Sequence, residues 1–203
     1  EAAWPKTDAI IGNPPFLGDK MMRGDLGDAY VTTLRKCYEG RVPGGADLVT
    51  YWFDKARKQI LAGDAVGAGL VSTNSIRGGA NRKVLDNIVA DLTIFDAWAD
   101  EPWVNEGAAV RVSLVCFGTG ALAARYADVA QTPLRADSLL PHTEQPACNL
   151  DGIPVERINA DLNGGAANSV NVIHASKLKE NKGTSFQGPV LVGPFEVKFE
   201  EAL

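Results

Sequence analysis

Asp8-Ala9-Ile10-Ile11-Gly12-Asn13-Pro14-Pro15-Phe16 runs from an apolar segment straight into a pair of prolines. Ala9 to Ile11 reads as a buried strand that Gly12 ends. Two consecutive prolines exclude helix and sheet interior alike, because each lacks an N–H donor and fixes φ. The residue before each proline is pushed to extended geometry as well. Asn13 and the Pro14 carbonyl are therefore expected in a stiff, extended turn just past the carboxyl end of a strand. Open α/β sheets bind their ligands at that end.

Downstream, Leu17 to Gly27 reads as a polar, glycine-bearing loop, and Asp28 as the cap of a short helix reaching about Tyr38. Arg41-Val42-Pro43-Gly44-Gly45 breaks the chain. A helix is then expected from Asp47, with Leu48, Tyr51, Trp52, Ala56, Gln59 and Ile60 mostly on one stripe at helical spacing and Gly63-Asp64 closing it. Val66 to Val71 has the small and apolar residues of a buried parallel strand, and Ser72-Thr73-Asn74-Ser75-Ile76 follows it. After the Gly78-Gly79 break, Arg82 to Ala90 is a helix with Val84, Leu85, Ile88 and Val89 inward. Leu92 to Trp98 and Ala109 to Phe117 are two further strands. This alternation argues for an α/β fold, a mostly parallel sheet with helices on its faces, closed by a pair that can be antiparallel. Beyond Gly118-Thr119-Gly120 the elements shorten and turn residues crowd, which places a boundary near residue 120 and a smaller, irregular, mixed or β-rich segment over 121–203. Pro189 to Phe199 still holds a plausible strand or two.

The 203 residues, 45% hydrophobic and 22% charged, are those of an ordinary globular chain able to bury a sizeable core. No run approaches the roughly 20 apolar residues of a membrane span, so no membrane partner is expected and the cytoplasm is the default location. Cys37, Cys116 and Cys148 are widely spaced without Cys-x-x-Cys pairing, which argues against a disulfide framework, and Cys116 reads as a core thiol. His142 and His174 stand alone, so neither a metal site nor a histidine-centred triad is expected. The net charge of -5 does not advertise a polyanion partner. From residue 121 onward seven basic and ten acidic side chains rule out a freestanding basic arm.

An extended Asn-Pro-Pro-aromatic turn offers two acceptors, the Asn13 side-chain carbonyl and the Pro14 main-chain carbonyl, beside the flat ring of Phe16. Two converging acceptors suit an NH2 group conjugated to a π-system. Taking both N–H bonds concentrates electron density on that nitrogen and orients its lone pair, while the ring stacks on the flat group. Such a site helps a poorly nucleophilic amine attack an electrophilic carbon without a neighbouring base. The plainer alternative is that Pro14-Pro15 merely ends a strand.

Asn13-Pro14-Pro15-Phe16 after an apolar strand resembles the catalytic motif of S-adenosylmethionine-dependent amino-methyltransferases, above all the DNA adenine-N6 enzymes. Release-factor glutamine methyltransferases carry a close variant. Asp47-Leu48-Val49-Thr50-Tyr51-Trp52-Phe53, Ser72-Thr73-Asn74-Ser75-Ile76, and Trp103 through Ala109-Val110-Arg111-Val112 to Phe117 are similar to successive blocks of large, single-chain bacterial restriction-modification methyltransferases. Ile158 to Leu162 and Glu180 to Gly188 resemble the entry to their target-recognition region. The resemblance implies a partial Rossmann-like methyltransferase sheet over residues 1–120, followed by the connection and start of a target-recognition region over 121–203.

It further implies S-adenosylmethionine as methyl donor and double-stranded DNA as partner. Asn13 and Pro14 would hold the adenine amine, with Pro15 stiffening the turn and Phe16 stacking on a base flipped from the duplex. Trp103 is a candidate second aromatic wall, or a tryptophan packed at the sheet edge. Asp47 and Leu48 are candidates for the cofactor side, although a helix N-cap explains Asp47 equally well. Asn74 and Ser75 are pocket candidates, with a turn role as the alternative, and Arg23, Arg77, Arg82 and Lys83 are candidate phosphate contacts or ordinary solvated charges.

The family's glycine-rich cofactor turn normally precedes the Asn-Pro-Pro block, and the twelve residues before Asn13 do not carry it. Asn163-Gly164-Gly165 and Gly188-Pro189-Val190 fail its pattern too. The expectation is a carboxy-side piece of a longer polypeptide, one that can also carry a nuclease domain, and inactive alone. Two other readings stand beside it: a protein glutamine methyltransferase, which the long tail disfavours, and a non-catalytic DNA-binding or assembly module on the same scaffold.

Overall fold

The computed structural model describes residues 2–105, 108–130 and 148–165. Strand β1 (Ala9–Gly12) forms where the apolar run predicts, and it pairs in parallel with β2 (Gly67–Thr73) from Ala9↔Gly67 to Gly12↔Leu70. Between them run α1 (Asp19–Leu26), α2 (Asp28–Cys37) and α3 (Thr50–Leu61). After β2 come a short 3-10 turn over Asn74–Arg77, helix α4 (Gly79–Asp91), and the long strands β3 (Thr93–Asn105) and β4 (Ala108–Gly118). Helix α5 (Gly120–Ala130) and the short strands β5 (Cys148–Leu150) and β6 (Ile153–Val155) follow.

The six strands form one sheet in the order β1-β2-β4-β3-β5-β6. β4 returns antiparallel beside β3 and then occupies the slot against β2, Thr73↔Val112 to Gly67↔Gly118. β1, β2, β3 and β5 therefore point one way, with β4 and β6 reversed. The expected α/β sheet of methyltransferase type is present, with an added β segment. β5 and β6 lie beyond residue 120 yet join the same sheet through Asp96↔Asn149 and Ala97↔Leu150. A separate two-stranded ladder pairs Arg157–Ile158 with Gly164–Gly165.

The central strands are covered because their residues allow close approach. A Cβ on Gly67 would stand 2.4 Å from Leu122 of α5, and one on Gly118 would stand 2.8 Å from the Val66 carbonyl. Only glycine at both positions lets α5 lie this near the strands. On α3, Phe53 is fully buried and stacks on Phe117 of β4 with ring centroids 6.0 Å apart.

Several expectations are corrected here. Ala9–Ile11 is a strand but not a buried one: β1 is the sheet's edge, and Ile11 is 87% exposed. The segment expected as a loop over Leu17–Gly27 folds as α1, whose Met22 is fully buried. The residues from Ala121 onward do not break up at once; they form α5. The stripe read along α3 understates its burial, since Phe53 and Asp54 are also sequestered. Asp54 is tolerated inside because Arg41 stands 2.7 Å and Arg57 3.6 Å from its carboxylate. Cys116 lies on a central strand but is only half-buried, not a core residue; desolvation still pushes its thiol up to about 11, which disfavours the reactive thiolate. His142, His174, Glu180 to Gly188 and Pro189 to Phe199 lie outside the described residues.

Candidate amine-binding turn

Because β1, β2 and β3 run parallel, their carboxyl ends share one end of the sheet, and the turns carrying Asn13 and Asn74-Ser75 leave from that end. The Asn13–Phe16 turn leaves β1 at the sheet edge. Pro14 is buried, Phe16 is half-buried against the core, and Asn13 and Pro15 are exposed. Among the described residues nothing engages the Asn13 side chain. The turn is thus anchored through its apolar members and presents its amide to the outside. It is also tied down behind: the Leu48 N–H donates to the Leu17 carbonyl at 2.9 Å.

Asp47 does not cap its own helix. α3 begins at Thr50 with no side-chain cap, and the Thr50 N–H takes the Asp47 main-chain carbonyl instead. The Asp47 carboxylate reaches across to α1, where Oδ1 accepts the Asp19 N–H at 3.0 Å. That N–H is one of the orphan donors at a helix start, so Asp47 caps α1 from a distant part of the chain. Its Oδ2 accepts the Ser75 hydroxyl at 3.0 Å and the Asn81 amide at 2.7 Å. Both carboxylate oxygens are occupied by the protein itself. Leu48 is buried and lines an apolar cavity of about 350 Å³ with Trp4, Leu34, Tyr51, Trp52 and others. No residue of the Asn13–Phe16 turn lines that cavity.

The turn after β2 is held on both sides. Thr73 and Ser75 share a hydroxyl–hydroxyl bond of 2.7 Å, and the Asn74 amide donates to Asp100 of β3 at 3.0 Å. Arg111 of β4 completes this knot, its guanidinium donating to the Asp100 carboxylate at 2.5 Å and to the Asp100 carbonyl at 2.6 Å. The Arg111 hydrogen bond, helped by Asn74, holds the Asp100 carboxyl below the usual carboxylate range. Asn74 and Ser75 follow β2, the strand next to β1, and their side chains fasten that turn to Asp100 and Asp47.

Trp103 stands on β3 opposite Val110 and is 37% exposed. Its strand is three places from β1, which is roughly 14 Å across the sheet. Of the four candidate phosphate contacts, Arg23 pairs with Asp28 at 2.5 Å on the surface, and Arg77 donates to the Ala99 carbonyl at 3.4 Å. Arg82 stands 3.9 Å from Asp86, and Lys83 is exposed with no partner among the described residues. Asn81 and Asp100 were not singled out by sequence. Asn81 did leave a signal: it is spaced with Val84, Leu85 and Ile88 on the inward stripe of α4, where a polar residue needs a buried partner.

A mixed sheet in which β1, β2 and β3 run one way, with an Asn-Pro-Pro-Phe turn at the carboxyl end of β1, is that of a domain of the methyltransferase class. Residues 4–127, more than half of the chain, match the family described as MmeI, DNA-methyltransferase domain, and the chain belongs to that family. Among solved structures, the fold is similar to that of the Type IIL restriction-modification enzyme MmeI, solved in complex with DNA. The TM-score is 0.53 at 23% identity over 79% of this chain. This chain spans 20% of the length of that one. A comparison with curated proteins returns no match.

Proposed function

We propose that this chain supplies the amine-holding part of a restriction-modification DNA methyltransferase, in which a methyl group passes from S-adenosylmethionine to the N6 amine of an adenine in double-stranded DNA. One observation carries the reading: the Asn13 amide is exposed and unengaged at the carboxyl end of β1, on a turn whose Pro14 and Phe16 are packed in place. The side-chain carbonyl of Asn13 and the main-chain carbonyl of Pro14 accept the two N–H bonds of the amine. Electron density is thereby concentrated on the nitrogen and its lone pair oriented, while the Phe16 ring takes the face of the base. Reaching N6 requires the adenine to leave the duplex, because that amine is otherwise paired. Lys83 is the candidate most available to a DNA phosphate, and the surface pair of Arg23 with Asp28 exchanges for one at little cost.

The described residues do not fit a complete cofactor site. S-adenosylmethionine supplies an electrophilic methyl carbon when bound, and its ribose calls for an acidic acceptor; the Asp47 carboxylate, the acidic candidate for the cofactor side, is engaged by Asp19, Ser75 and Asn81. We assign the donor half to parts of the parent polypeptide beyond this chain, in keeping with the fraction of the matched structure that it spans.

The test uses the full-length polypeptide and cofactor carrying a tritiated methyl group. Label is expected in duplex DNA, recovered as N6-methyladenine after digestion, and lost in Asn13→Ala. Incorporation into protein but not DNA would overturn the assignment.

A further inference from the structure

We propose that Asn81 is a positioning residue that fixes the Asn13 turn relative to the Ser75 turn, acting through Asp47; the proposal rests on the methyl-transfer reading of the Asn13 turn. The Asn81 side chain is sequestered, the residue being 7% exposed, and forms a closed pair with Asp47. Its carbonyl accepts the Asp47 main-chain N–H at 2.8 Å, and its amide donates to the Asp47 carboxylate at 2.7 Å. The same amide lies 3.3 Å from the Ser75 hydroxyl and 3.4 Å from the Ser75 carbonyl. One buried amide therefore sets the orientation of a carboxylate whose two oxygens reach two different turns.

Those turns belong to neighbouring parallel strands. Asp19 opens α1 directly after the Asn13–Gly18 segment, and its N–H is held by Asp47 Oδ1. Ser75 follows the end of β2, and its hydroxyl is held by Asp47 Oδ2. Without the Asn81 amide the carboxylate keeps only the Ser75 hydroxyl and the Asp19 N–H, one on each oxygen, so its plane is held less firmly and the first N–H of α1 gains freedom. A turn that must hold a reacting amine is sensitive to such drift, since a displacement of about 1 Å costs on the order of 100-fold in rate. The chemistry also demands an amide at position 81 opposite a carboxylate at 47. Aspartate there would face Asp47 with a like charge at hydrogen-bond distance.

The experiment compares Asn81→Ala, Asn81→Asp and the exchanged pair Asp47→Asn with Asn81→Asp in the full-length polypeptide. The exchanged pair again matches one amide with one carboxylate, so it separates lost positioning from a lost fold. Two quantities are read: kcat and KM for methyl transfer to duplex DNA, per folded molecule, and hydrogen exchange at the Asp19 amide. Each single variant is expected to lower kcat about 10- to 100-fold with KM for DNA near wild type. Each is also expected to speed exchange at Asp19, and the exchanged pair to recover both. A residue of purely structural role would lower only the folded fraction. Unchanged Asp19 exchange in Asn81→Ala, or an exchanged pair no better than the single variants, overturns the proposal. If wild type places no methyl on DNA adenine, the functional reading fails instead, and the exchange measurement decides the positioning claim by itself.

Discussion

Two asparagines follow two neighbouring parallel strands at the same end of this sheet, and their side chains are put to different uses. Asn13, after β1, is exposed and engages nothing among the described residues. Asn74, after β2, spends its amide on Asp100, which is held in turn by Arg111. Position past a strand end is thus insufficient to mark a ligand-binding group. What separates the two is where their strands sit. β2 lies inside the sheet with β4 and β3 beyond it, so partners are within reach of the turn that follows. β1 is the edge, and Pro14-Pro15 keeps the next residues extended and short of donors.

The comparison can be broken at its base by removing core packing beneath the sheet itself. Phe53→Ala, which empties the space against Phe117, should cost about 3–5 kcal/mol in chemical denaturation. It should lower activity only in proportion to the unfolded fraction. Asn13→Ala should do the reverse. Methyl transfer by the full-length polypeptide should fall on the order of 100- to 1,000-fold, as for loss of one preorganised polar group. Unfolding stability should stay within about 0.5 kcal/mol, as for other exposed sites. A large stability loss in Asn13→Ala would show that its amide has a structural role after all.

Asn74→Ala sharpens the contrast from the other side. It should lower the melting temperature, by less than Phe53→Ala does, while preserving the kcat of the folded molecule. A collapse of kcat with stability intact would move Asn74 into the working site beside Asn13. The smallest effect is in pH. The Asp100 carboxyl is held below its ordinary value, so its bond to Arg111 contributes fully above the ordinary carboxylate range, near 3.8. The contribution is lost as pH falls through the depressed value. Asp100→Asn should therefore flatten the acid limb of a melting-temperature profile, whereas Asn13→Ala should leave that limb unchanged.

Much of the scaffold was legible from residue order. The apolar run before Gly12, the stripe of α3 and the alternating β4 each announced their element through local periodicity. α1 was hidden because Gly18, Gly24 and Gly27 make the segment read as a loop, yet it folds around Met22 and is capped by Asp47 from 28 residues away. The slot taken by β4 between β2 and β3 was equally invisible, since pairing across a crossover depends on contacts that no short window contains. From residue order Asp47 fits an N-cap of its own helix or a cofactor contact. It caps a helix, but α1 rather than its own, because a side chain's partner is set by what the fold brings near.

By itself, then, the sequence determined the local geometry of the turn. Two prolines in tandem after an apolar strand allow few conformations, and Asn13 with Phe16 beside them specifies an acceptor and a flat face. Local stereochemistry suffices for that. Only the tertiary structure decided which polar groups remain available. Asp47, Asn74 and Ser75 are as polar as Asn13, but each lies within hydrogen-bond reach of a neighbouring element and is consumed by it. Asn13 follows the strand with one partner, and nothing among the described residues engages its amide.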